Sequence, residues 1–266
     1  MILASFLLML AQDGAAPPPL PPLEPRTVAE DRLAICLDRA RTDPTTAIVE
    51  ASAWSGEASD ADTSYPQQCL GLAYTMLLRW EAAERAFLAA REASADPFRR
   101  ARLATMAANA ALAQDRSIDA LASLELAGND AAVAGDDGLR AMVEVDRARA
   151  QVVQGREAEA EATLATARTL DAQSPFAWLL SATLARRLGK LDEAQGYIET
   201  AAALSPDYPE IGLEAGVIAM LAGRQDAAEA SWRSVVALSP DSEAATSARS
   251  YLAQAAELSA EEPPAP

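Results

Sequence analysis

Gly155, Gly189 and Gly223 stand at one fixed interval, 189 − 155 = 34 and 223 − 189 = 34. Ala160, Ala194 and Ala228 keep the same phase, and Pro206 and Pro240 are also 34 apart. A period of this length belongs to units that cannot bury an apolar face alone and do so only by stacking on their neighbours. The chain is therefore expected to grow as one elongated body with a continuous core. Half of its residues are apolar but only 5% are aromatic, so Ala and Leu must build that core. Ala is the best helix former and lets helices approach closely, which favours paired helices over strands.

Charge and composition remove several function classes. The 266 residues carry a formal charge of −17 and no histidine. Strong acidity opposes non-specific attraction to nucleic acid or anionic lipid, so no nucleic-acid partner is expected. Without His, the commonest general acid–base and metal ligand is missing, and no cofactor or metal site is expected. The apolar run Met1–Ala11 is far short of the roughly 20 residues that span a bilayer. It reads as the apolar segment of a secretory signal peptide cleaved after Ala11, followed by a proline-rich linker over 12–27. This makes the chain periplasmic or otherwise exported. The alternative is a cytoplasmic protein, since no Lys or Arg precedes the run.

Along the chain, residues 28–65 read as a divergent helix pair and loop. Val28–Arg41 carries Leu33, Ile35 and Leu37, and Asp43-Pro44 opens a second helix with a cap and a proline at its first position. Ser55–Tyr65 is polar and reads as a loop. Repeat units then fill 66–240, beginning with Leu70-Gly71-x-x-Tyr74, Ala83-x-x-x-Phe87 and Ala90. Gly71 and Ala83 are small where two helices touch; Tyr74 and Phe87 fill space between units. The second unit has Ala108, Ala111, Ala120, Leu124 and Ala127, and Gly128–Gly138 reads as a longer connection that stretches the next interval to 155 − 115 = 40. The third, fourth and fifth units carry the glycine period. Leu-Ser-Pro-Asp closes units four and five, a helix stop followed by Ser or Asp caps. A polar capping helix over 241–258 and a disordered tail over 259–266 end the chain.

The L-G-x2-Y…A-x3-F spacing, with five units in phase, resembles the tetratricopeptide repeat family. The resemblance implies an all-α solenoid of antiparallel helix pairs winding as a right-handed superhelix. It also implies a non-catalytic scaffold that binds a protein or peptide partner in a concave groove lined by the first helix of each pair. By repeat position the groove takes Arg102, Thr105 and Asn109, then Met142, Val145 and Arg149. It continues through Phe176, Leu179, Thr183, Arg186 and Arg187 to Glu210, Leu213, Val217 and Met220. Arginines are scarce in this acidic chain, and their planar forks suit carboxylates, so the partner segment is expected to be acidic with apolar contacts. Alternate helices of such an array lie side by side, which would bring Cys36 and Cys69 together as a disulfide in an exported protein; two free buried thiols are the alternative. Asn109 matches a family position that grips a C-terminal carboxylate, but Thr105, Asp146 and Leu180 do not, so that specificity is not assigned. The tryptophans read as packing residues. A self-associating component of the cell envelope, a homo-oligomer, is the alternative function. A carboxylate-based hydrolase is more remote, because Glu210 is the only acid among these groove positions.

Overall fold

A computed structural model describes residues 27–59 and 63–261. The expected leader 1–11, the linker up to residue 26 and the end of the tail from 262 lie outside the described residues. The described chain is thirteen helices. The first three are α1 (Val28–Thr42), α2 (Pro44–Glu57) and α3 (Ser64–Met76). Next come α4 (Trp80–Ala93), α5 (Pro97–Leu112), α6 (Ser117–Ala134), α7 (Asp137–Val153) and α8 (Glu157–Leu170). The last five are α9 (Pro175–Arg187), α10 (Leu191–Leu204), α11 (Pro209–Leu221), α12 (Gln225–Leu238) and α13 (Glu243–Glu261).

Local sequence fixes the helix starts. Thr27 and Glu30 form a reciprocal capping box on α1, and Asp43, Asp96, Asp136 and Ser174 cap α2, α5, α7 and α9. Proline opens α2, α5, α9 and α11 at a position that has no helical hydrogen bond to lose. The Leu-Ser-Pro-Asp segments work differently from expectation. Tyr208 precedes α11 without a side-chain cap, and Ser242 rather than Asp241 caps α13 by accepting from the Ala245 N–H.

Each pair from α3–α4 to α11–α12 turns through one residue in the left-handed region: Leu78, Asp115, Gly155, Gly189 and Gly223, at φ between 58 and 75°. The next residue closes the turn by donating its backbone N–H to a carbonyl in the last turn of the first helix, as Arg156 does to Gln151 at 2.9 Å and Arg224 to Ala219 at 2.9 Å. That conformation explains the glycine period, since glycine reaches it without a Cβ clash. It also shows that Leu78 and Asp115 occupy the same turn in the first two units.

The residue after the turn is always basic: Arg79, Arg116, Arg156, Lys190 and Arg224. In three units its side chain reaches back to the second helix of the preceding unit, from Arg116 to Glu84 (2.6 Å), from Lys190 to Glu161 (2.5 Å) and from Arg224 to Gln195 (2.5 Å). Among the described residues, Arg79 and Arg156 make no such rung. Leu121 stands on α6 where an acceptor would be, and Arg156 pairs with Glu159 of its own unit instead.

The units pack in two rows. Alternate helices pack closely only in the odd row, at α1–α3, α5–α7, α7–α9, α9–α11 and α11–α13, so this row lies on the inside of the curve. Small side chains make the close approach possible: Ala101, Ala104, Ala107 and Ala108 of α5 are fully buried. Added at Gly71, a Cβ would lie 2.4 Å from Phe87 Cε1, so the signature glycine exists to seat that ring. Phe87 in turn clusters with Leu103, Ala107 and Ala110 of the next unit. The Cys36–Cys69 disulfide joins α1 to α3, with Cα atoms 6.0 Å apart.

On α1, Leu33, Cys36 and Ala40 carry the buried stripe, while Ile35 is 67% exposed. Three expectations need correction. The Ser55–Tyr65 loop is shorter, because α2 continues to Glu57 and α3 starts at Ser64. Gly128–Gly138 is mostly helix, since α6 runs to Ala134 and ends at left-handed Gly135. The extra residues of that interval extend helices rather than a loop. The chain's last helix reaches Glu261, beyond residue 258.

Candidate functional site

The inner row is uneven. Five of its six neighbouring pairs pack closely, but α3 and α5 scarcely touch. The space between them is a cleft of about 590 Å³, walled by Leu72, Trp80, Phe87, Met106, Leu112 and Val153, with Thr75, Asn109 and Arg149 as its polar groups. A second cleft of about 240 Å³ follows between α7 and α9, lined by Val152, Leu164, Leu180, Thr183, Leu184 and Arg187. Arg149 and Val153 border both. Val153 is 61% exposed, an apolar side chain left open at the shared rim.

Arg149 stands between the clefts under partial restraint. Its Nη1 donates to Asp146 at 2.8 Å, and Asn109 Oδ1 lies 3.5 Å away on α5. Burial raises the Asp146 carboxyl above its ordinary range, against the opposing pull of Arg149 and Asn109. A guanidinium offers five N–H donors, so Arg149 keeps donors to spare. Arg187, on the far side of the smaller cleft, is exposed and makes no hydrogen bond or ion pair among the described residues.

Four of the groove residues named from sequence line the two clefts: Asn109, Arg149, Thr183 and Arg187. Others that were named sit elsewhere. Arg186 is committed to Glu214 on α11 through Nε at 2.6 Å, with both side chains largely buried. Arg102 lies over the Phe98 ring, and Phe176 meets Tyr208 edge-on at 5.2 Å. Met220 packs against the cluster around Trp232. Val145 and Leu179, also assigned to the groove, are core residues at 9% exposure. Asp146, next to Val145, pairs with Arg149, and Glu214 pairs with Arg186, so acids stand beside two groove arginines although Glu210 is the only acid among the positions named.

Sequence reasoning missed the walls of the larger cleft: Leu72, Trp80, Met106 and Val153. Leu72 was legible from the period, since Leu72, Asn109, Arg149 and Thr183 each stand six residues before a left-handed turn residue. Trp54 and Trp232 are buried at 5% and 3%, as packing residues should be. Trp178 donates its indole N–H to the Ala172 carbonyl. Among the described residues, no group of three or more His, Cys, Asp and Glu could hold a metal ion, and no helix is long and apolar enough to cross a membrane.

Solved structures share this arrangement. One, PilW, described as a widely conserved type IV pilus biogenesis factor, is 17% identical, covers 84% of this chain and 99% of its own, and superposes with a TM-score of 0.66. PilF of Pseudomonas aeruginosa is also 17% identical, covers 85% and 97%, and gives 0.62. TTC0263, a thermophilic tetratricopeptide-repeat protein of Thermus thermophilus, is 21% identical, covers 72% and 98%, and gives 0.55. No family model and no curated protein matches the chain. At these identities the likeness concerns the fold, an all-α tetratricopeptide-repeat solenoid.

Proposed function

We propose that this tetratricopeptide-repeat solenoid is a non-catalytic scaffold that holds a segment of a partner protein against its inner helices, and that it works in the bacterial periplasm. One observation carries the binding proposal. Two apolar clefts open side by side on the inner row, and Asn109, Arg149, Thr183 and Arg187 converge on them. An apolar concavity with a few convergent polar groups is the usual form of a binding site. Export is supported by the apolar run Met1–Ala11 and by the Cys36–Cys69 disulfide, a bond that persists in oxidising compartments.

The test is in-cell crosslinking of tagged protein, followed by mass spectrometry of what co-purifies. The comparison protein carries Arg149→Glu and Arg187→Glu; Arg186 is left intact because its pairing with Glu214 is structural. An envelope protein captured by the wild type and lost from the variant is the expected result. Capture unchanged by both reversals would refute the groove, and recovery with cytoplasmic proteins alone would refute the location.

A further inference from the structure

Resting on the groove proposal, we infer that Arg149 splits the inner face into two pockets that read one extended segment of a partner protein. The segment places a bulky apolar side chain in the larger cleft, an internal Asp or Glu on Arg149, and a smaller apolar side chain in the lesser cleft beside Arg187. Size distinguishes the pockets. About 590 Å³ falls within the range of roughly 300–1,000 Å³ typical of formed ligand sites, whereas about 240 Å³ lies below it. The first has room for an aromatic group and adjoining backbone, the second for one side chain.

Charge identifies what lies between. The chain is strongly acidic, and most arginines near its helices are matched to carboxylates, as Arg91 and Arg100 are to buried Asp130. Arg187 has no such match among the described residues, and Arg149 is held through one nitrogen only. Two cations with unspent donors therefore flank one small apolar pocket, each free to take a carboxylate in a fork geometry. The restraint that Asp146 and Asn109 place on Arg149 matters as much as the charge. A pre-positioned guanidinium loses less freedom on binding than a mobile one. The walls between these cations are Val152, Val153 and Leu180, which contribute apolar contact but no side-chain hydrogen bonds. A basic segment would meet like charge here, and a purely apolar one would leave both cations unanswered.

The test uses the full chain and a displayed library of short random peptides flanked by fixed sequence, so that every selected acid is internal. Three variants are compared with the wild type. Arg149→Gln removes the dividing charge. Asp146→Asn with Arg149→Gln removes it without leaving the Asp146 carboxylate unpaired. Ala113→Phe fills the larger cleft from an exposed position. The wild type is expected to enrich peptides with a large apolar residue near Asp or Glu. Changing the acid of the best such peptide to its amide should weaken binding about tenfold, because a charge-assisted hydrogen bond is stronger than a neutral one. That tenfold difference should vanish in both Arg149 variants, while Ala113→Phe weakens acid and amide peptides by the same factor.

Selection of basic or uncharged peptides, or an acid preference that survives loss of Arg149, would overturn the two-pocket assignment. The groove proposal fails separately, if the Ala113→Phe and Arg149→Glu/Arg187→Glu proteins both capture the crosslinked partner as well as the wild type does.

Discussion

Two glycines within helices of adjacent units should respond to the same substitution with opposite sign. Gly196 lies inside α10 and Gly216 inside α11. Replacing either by alanine gains about 1 kcal/mol of helix propensity. At Gly196 a new Cβ meets nothing within 4 Å, so this gain is the whole effect and Gly196→Ala should be stabilising by about 1 kcal/mol. At Gly216 the Cβ would sit 2.1 Å from Trp232 Nε1, 2.5 Å from Cδ1 and 2.6 Å from Cε2. Favourable carbon contacts lie near 3.5–4.0 Å, so the indole must retreat by roughly 1 Å or more. It has little room, being 3% exposed and clustered with Ala228, Val235, Ala245 and Ala248.

Retreat also stretches the indole N–H bond to the Leu213 carbonyl, now 3.2 Å. Overpacking costs about 1–3 kcal/mol and the lost hydrogen bond about 1 kcal/mol. Set against the propensity gain, Gly216→Ala should be destabilising by about 1–3 kcal/mol. Urea denaturation followed by circular dichroism measures both signs. Native-state hydrogen exchange should place the Gly216 loss in α11–α13, because each unit contacts only its neighbours. A Gly216→Ala protein as stable as the parent, or a destabilised Gly196→Ala protein, would refute the packing account.

Reduction of Cys36–Cys69, or both Cys→Ala changes together, should cost about 4 kcal/mol for this 33-residue separation, with exchange protection lost first in α1 and α2 and retained in α7–α12; uniform loss along the chain would contradict a local clamp. Asp146 should give a pH signature. Its carboxyl is raised by burial above the ordinary 3.8, so it binds its proton more tightly folded than unfolded, and it costs stability above the folded pKa but not below the unfolded one. Asp146→Asn should therefore be at least as stable as the parent at neutral pH, with the difference closing as the pH falls toward 3.8; a variant less stable at neutral pH with no change in acid would refute the sign.

The array was legible because its turns impose a backbone conformation that three units meet with glycine. The first two units were harder to place, since Leu78 and Asp115 adopt the same left-handed geometry without announcing it. Leu78 is the less readable: a leucine there costs about 1–2 kcal/mol, and nothing in its side chain signals the turn. Gly128 misled in the opposite sense. It lies inside α6, where an added Cβ would come within 3.0 Å of Arg147 Nη2, so it marks a close helix approach rather than a loop. Of the cations placed by the period, Arg149 and Arg187 border the clefts while Arg102 and Arg186 do not, and Val145 and Leu179 were misassigned by one residue. Helical phase puts Asp146 and Leu180 on the inner face, and one residue is a rotation of about 100°. The larger cleft could not be read at all, since it exists because α3 and α5 fail to close, and sequence carries pairwise packing more readily than its absence.

The irregularities of the second unit belong together. Its helices, at 16 and 18 residues, are longer than the 13 or 14 of α3–α4 and of every helix from α8 to α12. On its N-terminal side the inner row opens into the larger cleft; on its C-terminal side Leu121 leaves Arg156 without the cross-unit acceptor that Glu84, Glu161 and Gln195 supply at three other junctions. In a nearest-neighbour array, stability is a sum of interface contributions, so this junction forgoes the one contribution that the polar rung supplies and rests on its helix packing instead. Arg149 lies just past that junction on α7 and reaches back to Asn109 on α5. A segment seated in both clefts would touch α3, α5, α7 and α9, and so would bridge the break from one side to the other. Binding would then tie together inner helices that leave a gap between α3 and α5. The departure from regular repeat geometry at the second unit thus opens the cleft and sets helices on both sides of its occupant.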